Sequence, residues 1–572
     1  MEQTVSPRPL RVLFLVSAHG GLSQAAQVAL SDLGHEVSVA VVGSAEAMLA
    51  AVRDLDPDLI ACPMLKTMIP ESIWSRYRCL IVHPGPGGDR GPSSIDWAIM
   101  LDLPEWGVTV LEANGEYDAG TVWATRSFAR LSATKSGMSR HEVRRAAVDA
   151  LTEAVDRIAR GETAPPQPAA NTLTGQARPL MRQEVRRIDW TQDSTDLVLR
   201  KIHSGDGQPG VLDFIEGVAF HLFGAHREST LRGRPGRLIA QRDGAICRAT
   251  VDGSVWITHL KRRGTAQRRY IKLPAVAALT QAGRPVTAPE IPAPPIGAST
   301  HADAHTYREI RYQEEAGVGY LHFDFYNGAM SDAQCRRLRD AYRYARSRPT
   351  RVIVLMGGRD FFCTGIHLNV IESAADPATE SWHNLNAIND VVHDVVTTDS
   401  HYVIAALCGD AAAGGVPFAL AADRVLAREN IVLNPYYQHM GGLYGSEYWT
   451  YLLPRRLGTA VAGELTSAPF TPVSARRAVR IGLVDDAFGA SAEQFTAAVH
   501  RSAAQLAQSP LLPELLALKR RQRDRDERAK PLLGDRHEEL ARSHECFFGP
   551  DKRYHHARTR FTHKQPGALA PS

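Results

Sequence analysis

Two Pro-rich stretches without a single aromatic residue divide this sequence, and they restrict its folds more than any other feature. One is Gly161-Glu-Thr-Ala-Pro-Pro-Gln-Pro-Ala-Ala170, and the other, RPVTAPEIPAPPIGAST, runs from Arg284 to Thr300. Proline fixes φ and carries no N–H, so such runs favour extended, solvated linkers over helix or sheet. The chain has 572 residues, and roughly 150 residues per domain suggests three or four cores. The expected parts are 1–165, 175–283 and 305–572, with 284–304 as the linker before the last.

A composition 44% hydrophobic and 22% charged is that of an ordinary globular protein. The net charge of +4 gives no argument for nucleic acid or bulk membrane binding. No apolar run approaches the ~20 residues that span a bilayer, so no membrane insertion is expected. MEQTVSPRPLRVLFLV lacks a basic n-region and a small-residue cleavage site, so Arg11–Val16 reads as a buried strand and not as a leader. The seven cysteines, at 62, 79, 247, 335, 363, 408 and 546, form no C-x-x-C pair. That pattern points to a reduced, cytoplasmic setting and to no metal site built from thiolates.

The fold class expected is α/β multidomain. In the first part Val12–Val16, Glu36–Val42, Leu59–Cys62, Cys79–Val82 and Val108–Leu111 read as strands. Gln24–Asp32, Ala45–Leu55 and Ser93–Met100 carry apolar residues at helical spacing. Strand–helix alternation predicts a Rossmann-like parallel sheet, whose ligands lie beyond the carboxyl ends of its strands. The second part, with Arg237–Gln241, Ile246–Val251 and Ser254–His259 joined by Gly or Asp-Gly turns, reads as a small β-barrel or similar module. The third, with strands at Gly319–Asp324, Arg351–Met356 and Tyr402–Leu407 and a helix at Asp332–Ser347, reads as a second α/β domain.

His83 stands at the carboxyl end of Cys79–Val82 and opens the loop HPGPGGDRGPSS; Gly107-Val-Thr-Val and Asp118-Ala-Gly120 follow. Alone, His83 reads as a turn histidine. Together these segments resemble the folate-dependent formyltransferases, whose pattern is Asn-x-His-Pro…Gly-x-Thr…Asp-x-Gly. The resemblance implies that His83 and Asp118 assist attack on the formyl group of 10-formyltetrahydrofolate. Such a pair can shuttle a proton and polarise the formyl oxygen. The family's Asn falls at Ile81, which has no hydrogen to donate. Ser17, Ser23 and Gln24 after the first strand, and Asp89 and Arg90 in the loop, are the expected cofactor-binding residues. Arg187-Ile-Asp-Trp190, Leu199-Arg-Lys-Ile-His-Ser204 and Gln208-Pro-Gly-Val211 resemble the C-terminal (OB-like) domain of tRNA formyltransferases. Ser204 is a candidate there, with a turn serine the equal alternative.

Gly357-Gly-Arg-Asp-Phe-Phe-Cys-Thr-Gly-Ile-His-Leu368 and Cys408-Gly-Asp-Ala-Ala-Ala-Gly-Gly-Val-Pro417 resemble the two oxyanion segments of the crotonase (enoyl-CoA hydratase/isomerase) superfamily. The resemblance implies that the N–H groups of Ile366 and Gly414 hold a thioester carbonyl of an acyl-CoA. Pro417 stands where hydratases carry one catalytic Glu, and Asn434-Pro-Tyr-Tyr437 replaces the other, so water addition is not expected. Tyr436, Tyr437 and Tyr444 are candidate proton donors and Glu447 a candidate base; aromatic packing is the plain reading of some of these tyrosines. Arg359, Arg558 and Arg560 are candidates for CoA phosphates, although exposed arginines usually hold no ligand. The run Lys519–Arg528 alternates in sign and reads as a solvated helix face.

A formyltransferase joined to a crotonase-like domain resembles the HypX/HoxX-type hydrogenase maturation proteins. That implies synthesis of the carbon monoxide ligand of nickel–iron hydrogenase: formyl transfer from 10-formyltetrahydrofolate to coenzyme A, then breakdown of formyl-CoA to CO and CoA. Hydrogenase maturation proteins or the hydrogenase large subunit are the implied protein partners. Two alternatives stay open. One is an amine formyltransferase, for instance acting on a sugar nucleotide, fused to an independent acyl-CoA domain. The other is a non-catalytic folate- or CoA-sensing scaffold.

Overall fold

In a computed structural model, residues 8–565 are described apart from 168, 170–172, 266, 299–304 and 468–471. The first sheet has the order β2-β1-β3-β4-β5-β6. Its strands are β1 (Arg11–Val16), β2 (Glu36–Val41), β3 (Leu59–Cys62), β4 (Cys79–His83), β5 (Glu105–Glu112) and β6 (Val122–Ala129). The first four are mutually parallel, as the alternation predicts, but β5 runs antiparallel to β4 and β6 antiparallel to β5. β6 was not expected, because VWATRSFA mixes buried and exposed positions on a sheet edge. Helices Gly21–Asp32 and Glu142–Ala159 cover one face, and the long Ala-rich flank of the second closes the core against β5 and β6.

The second sheet contains β7 (Val211–Ile215), β8 (Val218–Glu228), β9 (Leu238–Arg242), β10 (Ala245–Ala249), β11 (Ser254–Arg262) and β12 (Lys272–Pro274). Its order is β7-β8-β11-β10-β9, with β12 on β11. All pairs are antiparallel. Among the described residues the path does not close, so the small barrel expected here is an open sheet. A reason is visible at its edge. The stretch expected to be a free linker lays residues 289–291 along β9, with Gln241 N–H donating to the Pro289 carbonyl (2.9 Å) and Ile291 N–H to the Gln241 carbonyl (2.9 Å). A Pro-rich segment suits such an edge, where only alternate groups need partners.

The third part holds β13 (Ile310–Glu315), β14 (Val318–Phe323), β15 (Val352–Gly357), β17 (Tyr402–Leu407), β19 (Arg424–Ala427) and β22 (Asp486–Ala487) in that order. A smaller sheet stacks β16 (Phe361–Cys363), β18 (Asp410–Ala412), β20 (Val432–Asn434) and β21 (Val473–Ser474). Helix Asp332–Arg346 starts at a capping box, Ser331 with Gln334, and packs its apolar side on the core. No helix among the described residues is long and apolar enough to cross a membrane.

Polar contacts, several of them ion pairs, fasten the parts together. Asp360 receives Arg140 (2.5 Å) and His141 (2.8 Å), and Asp410 receives Arg144 (2.6 Å), whose side chain is 3% exposed. Asp96 at the first part's helix Ser94–Met100 pairs with Arg186 and with Lys135 (2.7 Å).

Candidate active site

The first cluster forms at the carboxyl end of β4. Buried apolar residues fix the strand, and period-2 alternation puts Ile81 and His83 on one face. The glycines that follow have a steric reason. A Cβ at Gly85 would lie 2.3 Å from Oδ2 of Asp89 and 2.6 Å from Nε2 of His83, so only Gly lets the loop fold back onto the imidazole. His83 meets Asp118 through Nδ1 (3.3 Å) and Asp89 through Nε2 (2.9 Å). Asp118 has a left-handed backbone (φ 51°), and its Oδ2 accepts from the Gly91 N–H (3.1 Å). Burial opposes a charge on His83, but the bonds and charges of Asp118 and Asp89 outweigh it and raise the imidazole to about 9. For Asp118, burial is overcome by His83, the Gly91 N–H and Arg90, which together lower it. The site therefore rests as an imidazolium held by carboxylates.

The second cluster lies under the two Gly-rich segments of the third part. A Cβ at Gly414 would strike Oε1 of Glu447 at 2.4 Å, and one at Gly365 would come 3.4 Å from the Gly414 nitrogen. Ile366, Gly414 and the Glu447 carboxyl thus converge. Tyr437 O–H donates to Oε2 of Glu447 (3.1 Å), which also accepts from Ser446 N–H (3.2 Å). Glu447 and Tyr448 are consecutive non-Gly residues with positive φ, 65° and 58°. Asn389 and Glu539 hold them there by accepting from Glu447 N–H (2.7 Å) and Tyr448 N–H (2.9 Å). Strain maintained by buried acceptors is characteristic of functional turns. Burial, reinforced by the charge of Glu539, raises the Glu447 carboxyl to about 8 against the bonds it accepts. Burial also raises the Tyr437 phenol, with Glu447 and Glu539 adding to the shift.

One cavity of ≈ 570 Å³ joins the three parts. His19, Gln24 and Arg140 line it from the first, Gln208, His259 and Lys272 from the second, and Ile366, Gly414, Tyr436, Tyr437 and Glu447 from the third. His83 is not in this lining; His19 and Gln24 stand at the carboxyl edge of the same sheet. Lys272 Nζ donates to the Tyr326 hydroxyl (2.8 Å) and sits 3.7 Å from the Phe223 ring centre, and burial lowers it to about 8.

Residues 180–269 match the formyl transferase C-terminal domain family and residues 313–539 the enoyl-CoA hydratase/isomerase family. Over 562 residues the chain is 44% identical to the hydrogenase maturation factor HoxX of Bradyrhizobium diazoefficiens, covering 98% of this chain and 96% of that one. The chain belongs to the HoxX/HypX family of hydrogenase maturation factors. Its fold matches the crystal structure of HypX from Aquifex aeolicus in complex with tetrahydrofolic acid at TM-score 0.92 and 42% identity, over 98% of this chain and 97% of that one. A methionyl-tRNA formyltransferase of Citrifermentans bemidjiense is 28% identical over 37% of this chain and 67% of its own length.

Within this HypX-family chain, several expected site residues stand elsewhere. Tyr444 is not in the cavity lining; it packs on Trp449 (5.2 Å between ring centres) beneath Arg542. Arg558 is buried against Glu372 (2.7 Å) and His555. Arg560 is exposed and outside the lining. Arg359 pairs with Glu493 (3.1 Å) at the junction of the first and third parts. Ser204 is fully buried, donating to the Lys201 carbonyl and accepting from Arg186. Ser17 accepts from Lys66 N–H, and Ser23 bonds His19 and the Gly20 carbonyl, so both shape the turn that presents Gln24. Asp89 holds His83 and Arg178, while Arg90 is exposed near Glu116 (3.7 Å). The sequence reading missed His19, Arg140, His259 and Lys272. Each is an isolated polar residue that only the docking of three parts brings to one cavity. Glu539, beneath the Glu447 turn, was also missed.

Proposed function

We propose that the chain makes carbon monoxide for hydrogenase from 10-formyltetrahydrofolate, with coenzyme A as the carrier between its two sites. The observation that carries this is the cavity of the Glu447 site, which runs from Ile366 and Gly414 past the second part to Gln24, at the carboxyl edge of the sheet that carries His83, and is within the usual size range of small-molecule sites. At the first site His83 and Asp118 act on the formyl group. The bond from formyl carbon to the folate nitrogen breaks, a bond to the CoA sulfur forms, and the thiol proton ends on the folate nitrogen. The thiol acceptor is favoured because residues 313–539 match the enoyl-CoA hydratase/isomerase family.

At the second site the formyl-CoA carbonyl lies between the N–H groups of Ile366 and Gly414. Glu447 removes the formyl proton. The C–H pair stays on carbon as CO forms, and the C–S pair leaves with sulfur. Tyr437 protonates the sulfur and recovers its proton from Glu447 along their 3.1 Å hydrogen bond. No electrons are gained or lost, and neither missing hydratase carboxylate is needed. The CO produced would pass to the hydrogenase large subunit or its maturation proteins.

Purified protein given 10-formyltetrahydrofolate and CoA should release CO, trapped by a haem protein. Glu447→Gln or Tyr437→Phe should stop release while formyl-CoA accumulates. Release unaffected by both changes would remove this site from the reaction.

A further inference from the structure

His83 is an imidazole between two carboxylates: Nε2 is hydrogen-bonded to Asp89 (2.9 Å) and Nδ1 lies 3.3 Å from Asp118, an arrangement that favours the doubly protonated ring. The formal charges are +1 for His83 and −1 each for Asp118 and Asp89, so these three groups alone carry −1. Arg178 lies 2.9 Å from Oδ1 of Asp89 and restores zero. The burial of this set makes the balance matter: side-chain exposure is 5% for His83, 1% for Asp89 and 14% for Arg178. The other nearby cation, Arg90 beside Asp118, is half-exposed and faces Glu116, so solvent screens it. A formyl oxyanion developing beside an uncompensated −1 would be repelled in this low-dielectric setting. With Ile81 in place of an amide, the positive charge of the His83 ring is what that strand face offers the oxyanion.

Arg178 comes from a segment outside the sheet. Residues 175–178 are stitched along the catalytic loop: Gly175 N–H donates to the Gly87 carbonyl (3.0 Å), Arg90 N–H to the Gln176 carbonyl (3.3 Å) and Arg178 N–H to the Arg90 carbonyl (3.0 Å). The fit is flush. A Cβ at Gly175 would lie 2.0 Å from the Asp89 nitrogen, and one at Gly91 would lie 2.2 Å from the Arg178 carbonyl oxygen. Trp97 adds a hydrogen bond to the Pro179 carbonyl (2.9 Å).

We propose that Asp89 and Arg178 are positioning residues for formyl transfer: Asp89 holds Nε2 of His83, and Arg178 cancels the charge that Asp89 adds. This rests on the reading of His83 and Asp118 as the formyl-transfer pair. Asp89 was expected to bind the folate; here it acts through the imidazole.

The test measures tetrahydrofolate release from 10-formyltetrahydrofolate and CoA by the full-length protein between pH 6 and 10. Arg178→Met should slow transfer about tenfold or more at neutral pH, and Arg178→Lys, which keeps the charge, should retain most of it. The double variant Asp89→Asn with Arg178→Met should be faster than Arg178→Met alone, because the charge balance returns. Asp89→Asn should also move the alkaline limb of the profile down from about 9 toward the ordinary 6.5 of imidazole. A merely structural strap would give neither the rescue nor the moved limb. Losses that simply multiply in the double variant, with the limb unmoved, would overturn the proposal while leaving formyl transfer standing. No transfer to CoA by the unaltered protein would overturn the reading of the site and this proposal with it.

Discussion

If Glu447 is the base that removes the formyl proton, CO release must follow its ionisation. Its carboxyl is raised to about 8 by burial and by the charge of Glu539, opposed by the bonds from Tyr437 and Ser446. A group with that pKa is about one-tenth ionised at pH 7 and about nine-tenths at pH 9, so the rate should climb about tenfold across this interval. Synthetic formyl-CoA mixed with the protein and a haem trap isolates this step from the folate chemistry. Glu539→Gln removes the repelling charge and should shift the half-maximal pH below 8. Glu447→Gln should abolish the rise together with the activity. A rate flat between pH 7 and 9 would refute the role, as would a rate that falls through pH 8, which is the behaviour of a general acid.

Gly414→Ala places a Cβ where the Glu447 carboxyl lies, 2.4 Å away, and should cut CO release about 100-fold or more with formyl transfer unchanged, measured as two separate half-reactions. Arg558→Ala removes the main cation from the half-buried Glu372, which keeps its bond from Thr559, and should cost about 1–3 kcal/mol, read from denaturant unfolding, while CoA affinity of the folded protein stays the same. The His83 imidazole is raised from 6.5 to about 9 on folding, so its stabilisation is full below pH 6.5 and lost as pH rises through 9. The urea midpoints of the unaltered protein and His83→Gln should therefore converge between pH 6 and 10.

The strands were legible where burial is one-sided or complete. Leu59–Cys62 and Tyr402–Leu407 are found at the expected residues because continuous apolar runs leave no other solution. β6 was not legible, since an edge strand with mixed exposure has no such run. At the sites, His83 with Asp118 and Tyr437 with Glu447 are brought together as expected, because motif glycines mark where backbone must approach a side chain. The pairing of Arg558 was not legible, because its partner Glu372 is 186 residues away in sequence. Lys272 and Arg140 were missed because their surroundings exist only after separate cores dock. For the Pro-rich stretch before the third part, composition cannot say that an edge strand is waiting for residues 289–291.

The ion pairs between the first and third parts have a consequence for how such a protein can be assembled. Arg144 is buried with Asp410, and Asp360 takes both Arg140 and His141. Severing the chain into two separately made polypeptides would ask each to keep charges at a surface shaped to enclose them. Reassembly would have to recover the association entropy that one covalent chain never loses. One continuous chain spares the molecule that cost, and holds the first and third parts in fixed register.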